Sequence, residues 1–319
     1  MRKFLFAFAA FASLVACNKA DIFDTDLQAI SFGSPFVNNS TKAIDGSYSG
    51  TKNLTKFNVW GTVTGNGKTV NVFDNALCTG NINLTVWGCD QTEYWVPNCT
   101  YNFTAIVDAD ANGIKTNANT MPTEITVTSD GTKDLLLATA TVATDNNAVP
   151  SQSPVAFSFT HLMSQAYFTF HNTVGNDSYA FQITDINVSN LYSKGVYTIG
   201  ATTPWAVSAV STNPVDFGHA VYSDGESSIK LGKPATSNYA RTFLPAAYGE
   251  SNNFKVSFTS YLIYKGETIS VKNYDIDVEH TFAVNGSYNF IVELGAGDEI
   301  TFKVKDVLAW GEKPDITIP

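Results

Sequence analysis

Phe57-Asn58-Val59-Trp60-Gly61-Thr62-Val63, followed by the turn Gly65-Asn66-Gly67 and then Val70, Val72 and Phe73, decides the fold class. Phe57, Val59, Gly61 and Val63 alternate with Asn58, Trp60 and Thr62, and a period of two sends neighbouring side chains to opposite faces of a strand. The glycine-asparagine-glycine turn supplies the left-handed backbone that a tight hairpin needs. This is the pattern of a half-buried strand leading into a hairpin, with Trp60 on the outer face, and the same design recurs outward from this point. Tyr101, Phe103, Ala105 and Val107 repeat it, and Phe254, Val256, Phe258 and Leu262 lead through Lys265-Gly266-Glu267 into a strand from Ile269 to Val278. No stretch of twelve residues holds a 3.6-residue apolar period, so helices are expected to be short and few. Many short strands with frequent turns indicate an all-β chain of antiparallel β-sandwiches, because a parallel sheet would need crossover helices.

A polar, proline-marked stretch interrupts the strands. Thr144-Asp145-Asn146-Asn147, Pro150 and Ser151-Gln152-Ser153-Pro154 have linker chemistry, placing a boundary between a domain at 43–150 and another at 151–319. The length of 319 residues allows two domains with cores of their own. With 44% hydrophobic and 15% charged residues the chain is too apolar for disorder, and its net charge of -10 leaves no basic surplus for nucleic acid.

The first residues read as an export address. Arg2 and Lys3 precede a run from Phe4 to Val15 that is too short to span a bilayer, which takes about 20 residues. Leu14-Val15-Ala16-Cys17 then resembles a bacterial lipobox, in which the cysteine receives lipid of the palmitate type; an ordinary signal peptide with a chance cysteine is the alternative. This expectation makes 1–16 a lipoprotein signal peptide and Cys17 the lipidated first residue. Asn18 after the cysteine, by resemblance to sorted lipoproteins, favours the outer membrane. Cys78, Cys89 and Cys99 remain, and three thiols allow at most one bridge with one thiol left over, or stay as buried thiols; which two would pair stays open. Their gaps lack the paired spacing of a metal site.

Catalytic chemistry finds little footing. His161, His171, His219 and His280 are scattered, no nucleophile elbow or phosphate loop is present, and no enzyme activity or cofactor is expected. His161 is read as a hydrogen-bonded structural residue. Asp108-Ala109-Asp110-Ala111-Asn112-Gly113 matches the opening of a calcium loop, but its position 12 is Asn119 rather than glutamate, so a hairpin turn is preferred to weak calcium binding. Trp87, Tyr94, Trp95 and Trp205, taken as exposed aromatics, would stack on sugars in a glycan-binding lipoprotein, the alternative reading of the whole chain.

Several segments together resemble the fimbrillins of Bacteroides-type bacteria, the subunits of type V pili. The lipobox is followed by Ser40-Thr41-Lys42-Ala43, similar to the basic cleavage site before a mature pilin. Phe57-Asn58-Val59-Trp60-Gly61 resembles the first mature strand, and Tyr94-Trp95-Val96-Pro97 with Tyr101-Asn102-Phe103-Thr104-Ala105 resembles an N-terminal-domain signature. Val155-Ala156-Phe157-Ser158-Phe159-Thr160-His161-Leu162-Met163-Ser164-Gln165-Ala166 is similar to the opening of the second domain. Thr242-Phe243-Leu244-Pro245-Ala246 and Val307-Leu308-Ala309-Trp310 fit as well.

The resemblance implies two transthyretin-like sandwiches in tandem and a structural pilus subunit supporting adhesion. It implies export to the outer membrane and cell surface, cutting between Lys42 and Ala43 by a trypsin-like protease, and assembly with other pilin subunits by donor-strand exchange. Residues 17–42 would be a lipidated propeptide carrying a removable strand with Ile30 and Phe32. The C-terminal donor strand would involve Val307, Trp310, Ile316 and Ile318, in a tail that also contains Pro314 and Pro319, which cannot donate a ladder hydrogen bond. A host or bacterial surface ligand is a further expected partner. Stalk, anchor and tip roles stay open.

Overall fold

The computed structural model describes residues 28–37 and 54–307, apart from 82–83, 109–110, 133, 147–149, 151–152, 223–224, 250–251 and 296–299. The described residues form strands and turns without a helix. The first ten strands are β1 (Phe32–Gly33), β2 (Phe36–Val37), β3 (Lys56–Gly65), β4 (Lys68–Thr79), β5 (Val86–Cys89), β6 (Thr100–Asp108), β7 (Ala111–Thr116), β8 (Pro122–Thr128), β9 (Leu135–Ala143) and β10 (Ser158–His161).

Eight of these make one sheet in the order β1-β5-β4-β3-β6-β9-β10-β2. Its two end strands, β1 and β2, are neighbouring pieces of one segment, so residues 32–37 close the sheet on itself. Inside lie Phe57, Val59, Phe73, Trp87, Trp95, Tyr101, Phe103, Phe157 and Phe159. The Gly65-Asn66-Gly67 turn joins β3 to β4 as the spacing predicts, with Asn66 and Gly67 at φ 51° and 71°. Core membership crosses residue 150, since Val155, Phe157 and Phe159 sit in this first core and β10 pairs with β9.

The remaining strands are β11 (Ser164–Asn172), β12 (Tyr179–Ser189), β13 (Leu191–Thr198), β14 (Trp205–Ser211), β15 (Val215–Gly218), β16 (Ala220–Val221), β17 (Ala235–Ser237), β18 (Arg241–Phe243), β19 (Ala247–Tyr248), β20 (Phe254–Tyr264), β21 (Glu267–Val278), β22 (His280–Thr281), β23 (Ser287–Leu294) and β24 (Ile300–Val307). A sheet ordered β16-β17-β11-β23-β24, with β18 also on β11, shares a core with the sheet β15-β12-β20-β21. Phe168 meets Phe217 at 4.9 Å and Phe170 meets Phe258 at 5.4 Å, edge to face. The fold is therefore all-β and of sandwich type, as the alternation requires. Among the described strands, isolated bridges aside, pairing is antiparallel except for β2 with β10 and β11 with β23. The second exception runs over eight residue pairs and joins strands far apart in sequence, so the intervening sheets serve as the crossover.

Two expectations need correction. Strand β3 is not half-buried, because Trp60 and Thr62 on its outer face are also covered. The sheet β14-β13-β8-β7 and neighbouring segments lie over that face, and Trp60 joins a second cluster with Ile106, Ile125, Val127, Leu162 and Leu244. Asp108 to Asn112 do not turn a hairpin either, since β7 pairs with β8 and β6 with β3 and β9. That loop moves the chain from one sheet to another.

Candidate functional site

Residues 28–33 lie between two stretches of backbone. On one side, Ile30 N–H donates to Glu93 O at 2.7 Å, Trp95 N–H donates to Gln28 O at 3.1 Å, and β1 pairs antiparallel with β5 as Phe32 opposite Trp87. On the other, Gly33 N–H donates to Val155 O and Val155 N–H donates to Ser31 O, both at 2.8 Å, in a parallel arrangement that β2 continues with β10. Both rows of backbone groups are thus satisfied by this short segment.

Its side chains alternate accordingly. Ile30 is buried and Phe32 is 0% exposed. The Phe32 ring lies 5.3 Å from Phe157, 5.4 Å from Phe73, 5.5 Å from Phe103 and 6.4 Å from Phe57. Filling such a pocket contributes roughly 1.5–3 kcal/mol for one large apolar side chain.

The walls of this groove are held independently of the segment inside it. Cys78 and Cys89 are bridged, fastening β5 to β4 at directly opposed positions. Cys99 is the thiol left over; it is buried, and desolvation pushes its pKa up. The 93–99 stretch is fixed by Val96 N–H donating to the Tyr101 hydroxyl at 2.8 Å and by the Thr144 hydroxyl donating to Val96 O at 2.6 Å. Trp95 packs edge to face on Tyr101 at 4.7 Å. The half-buried Glu93 carboxyl is pushed up to about 7 by desolvation.

Other candidates fall elsewhere. Trp87 and Trp95 are 2% and 0% exposed, so they are core residues and not sugar-stacking platforms. Trp205 donates its indole N–H to Leu162 O at 2.8 Å and packs on Tyr197, leaving Tyr94 as the exposed member of the four. His161 is buried against the Asp134 carboxylate, which also accepts the Leu135 N–H at 2.8 Å. Val307 ends β24 and pairs in register with Ser287. Cys17, Lys42, Ala43, Trp310, Ile316 and Ile318, and the side chains of Asp108 to Asn112, lie outside the described residues. Sequence reasoning missed Val155 and Phe157 as groove residues, although they alternate with Ala156; Val155 makes an isolated bridge to Phe32 just before β10 begins.

The architecture defines an all-β protein of paired sheets whose first core is completed by its own leading segment. More specifically, the chain belongs to the Fimbrillin-like family, whose model matches residues 41–306. Among solved structures it is similar to a candidate cell adhesion protein from Bacteroides ovatus, at TM-score 0.53 and 17% identity over 88% of this chain and 98% of that one. A second candidate cell adhesion protein, from Bacteroides uniformis, aligns at TM-score 0.50 with 17% identity over the same shares. At this identity the likeness concerns the fold. No curated protein sequence matches the chain.

Proposed function

We propose that this chain is a structural subunit of a surface fimbrium, exported as an outer-membrane lipoprotein through Cys17, cut after Lys42 and assembled by donor-strand exchange. The observation that carries this reading is the placement of residues 28–37, which close the first sheet by hydrogen bonds on both sides and fill its core with Ile30 and Phe32. A cut downstream of them leaves that strand held by non-covalent contacts alone. Loss of the strand would uncover two edges and an apolar groove, which a strand from another subunit satisfies by ladder bonds and alternate side chains. The contact is head to tail and grows filaments instead of closing a ring.

The family match beginning at residue 41, beside the proposed cleavage site, supports this reading. Surface adhesion, with other pilin subunits and a trypsin-like protease as partners, follows from it. The glycan-binding alternative loses two of its four aromatics with Trp87 and Trp95 buried. Sequencing the N-terminus of surface-extracted protein is the direct test. Ala43 is expected in a polymerised subunit; if every molecule in detergent-resistant oligomers still begins at lipidated Cys17, the processing step is refuted.

A further inference from the structure

Where the sheet β14-β13-β8-β7 meets the second sandwich, the ends of four strands leave a cleft of about 310 Å³. Thr128 ends β8, Leu191 opens β13 directly opposite Ser211 at the end of β14, and Val215 opens β15. Turn-forming residues line the gaps, Ser129-Asp130-Gly131 after β8 and Asn213-Pro214 before β15. The floor is apolar: Leu191 and Phe243 belong to the second core, and Val215 packs against it. The walls are tied to one another. Ser129 N–H donates to Ser193 O at 2.8 Å, Thr242 N–H to Gly131 O at 3.0 Å, and the Ser193 hydroxyl to Ala209 O at 2.8 Å. Gly131 sits at φ 83°, and Val215 Cγ1 lies 2.5 Å from where its Cβ would be, so the loop after β8 packs directly on the start of β15. A cavity built this way is formed before any ligand arrives.

The chemistry of its rim narrows the occupant. The Ser129 and Ser211 hydroxyl oxygens accept the N–H groups of Gly131 and Asn213, both at 3.2 Å, so each serine keeps its own proton to give. Asn213 is exposed and adds an amide that both donates and accepts. The Asp130 carboxylate, held by the N–H and hydroxyl of Thr132, adds an acceptor. Among the described residues none that lines the cleft is cationic, and Arg241, next to Thr242, is turned to Asp216 O and the Tyr239 ring. An anionic ligand therefore lacks a counter-charge. A peptide would need a row of open backbone groups, whereas Ser129 N–H, Gly131 N–H and O, Ser193 O and Thr242 N–H are all engaged inside the protein. An uncharged molecule with many hydroxyl groups and an apolar face satisfies rim and floor together, and a pyranose ring has that chemistry.

We propose that this cleft binds a neutral saccharide of roughly one or two rings, with Ser129, Ser211 and Asn213 on its hydroxyl groups and Leu191, Val215 and Phe243 under its C–H face. Trp87, Tyr94, Trp95 and Trp205 take no part in it. The site supplies a ligand class for surface adhesion and rests on none of the assembly steps, so cut and uncut protein present it alike.

The test uses the full chain and a panel of methyl glycosides of glucose, galactose, mannose and N-acetylglucosamine, with their disaccharides, read by saturation-transfer NMR and calorimetry. At least one member is expected to bind with a Kd of about 1 mM or tighter. Asn213→Ala should weaken that binding about tenfold, and Ser211→Ala several-fold, while the thermal midpoint stays where it was. Saturable binding by no member of the panel overturns the proposal, as does binding that neither substitution changes. Loss of binding on Tyr94→Ala with none on Asn213→Ala would move the sugar to the first sandwich and overturn the assignment to this cleft. The methyl glycoside of N-acetylneuraminic acid and a neutral, unstructured peptide serve as controls; binding by either as tight as by the best neutral sugar overturns the ligand class. Failure of the sugar panel leaves strand exchange standing, and a chain that binds sugar but stays monomeric after cutting leaves this site standing.

Discussion

Phe32 does more for the first core than its position near the start of the chain suggests. Deleting its ring leaves a void bounded by four phenylalanines, and Phe32→Ala should destabilise the precursor by about 3–5 kcal/mol, read from urea unfolding. Glu93, whose carbonyl accepts the Ile30 N–H, gives a pH signature. Its folded pKa of about 7 lies above the ordinary 4.5 because burial disfavours the charge, so the fold holds the proton more tightly than the unfolded chain does. The stabilising contribution is complete below pH 4.5 and is lost as pH rises to about 7. Solvent screening of this half-exposed group limits it to about 1 kcal/mol, and Glu93→Gln should flatten the slope of stability between these limits. A slope that Gln leaves unchanged would assign the titration to another group.

At the scale of elements, β5 is the wall whose hold is least redundant. It has four residues and meets β4 at two register positions, one of which is the Cys78–Cys89 bridge. Replacing both cysteines by alanine should cost roughly 2–3 kcal/mol in thermal or urea unfolding, from loop entropy alone. The effect should be reproduced by reductant on the native protein and be absent in the double variant. Alternation in the sequence revealed β3, β6, β20 and β21 because period-two patterning is local. It misread Trp60 as outward-facing because the pattern gives sidedness without saying what covers the second face. That cover comes from β8 and β13, strands separated by more than sixty residues, and no local signal announces such a pairing. Trp60→Ala should therefore behave as a core truncation, costing about 3–5 kcal/mol.

For the whole molecule, all-β architecture and the alternating Ile30 and Phe32 were legible in the sequence, while the route by which 28–37 close a sheet was not. The parallel contact with Val155 links residues more than a hundred positions apart, across a stretch whose prolines and serines resembled a simple linker. The same closure has a kinetic meaning. While the chain between Val37 and Leu54 is intact, the strand returns to its own groove at an effective concentration of the order of millimolar, set by tether length and not by how much protein is present. A competing peptide of residues 28–37 should accordingly fail to enter the uncut precursor below that concentration and enter a protein cut between Val37 and Leu54 far more readily, as fluorescence anisotropy of the labelled peptide would record. On the proposed reading, breaking one peptide bond between Val37 and Leu54 would change no contact in the core, yet would turn a unimolecular closure into one that other molecules can win.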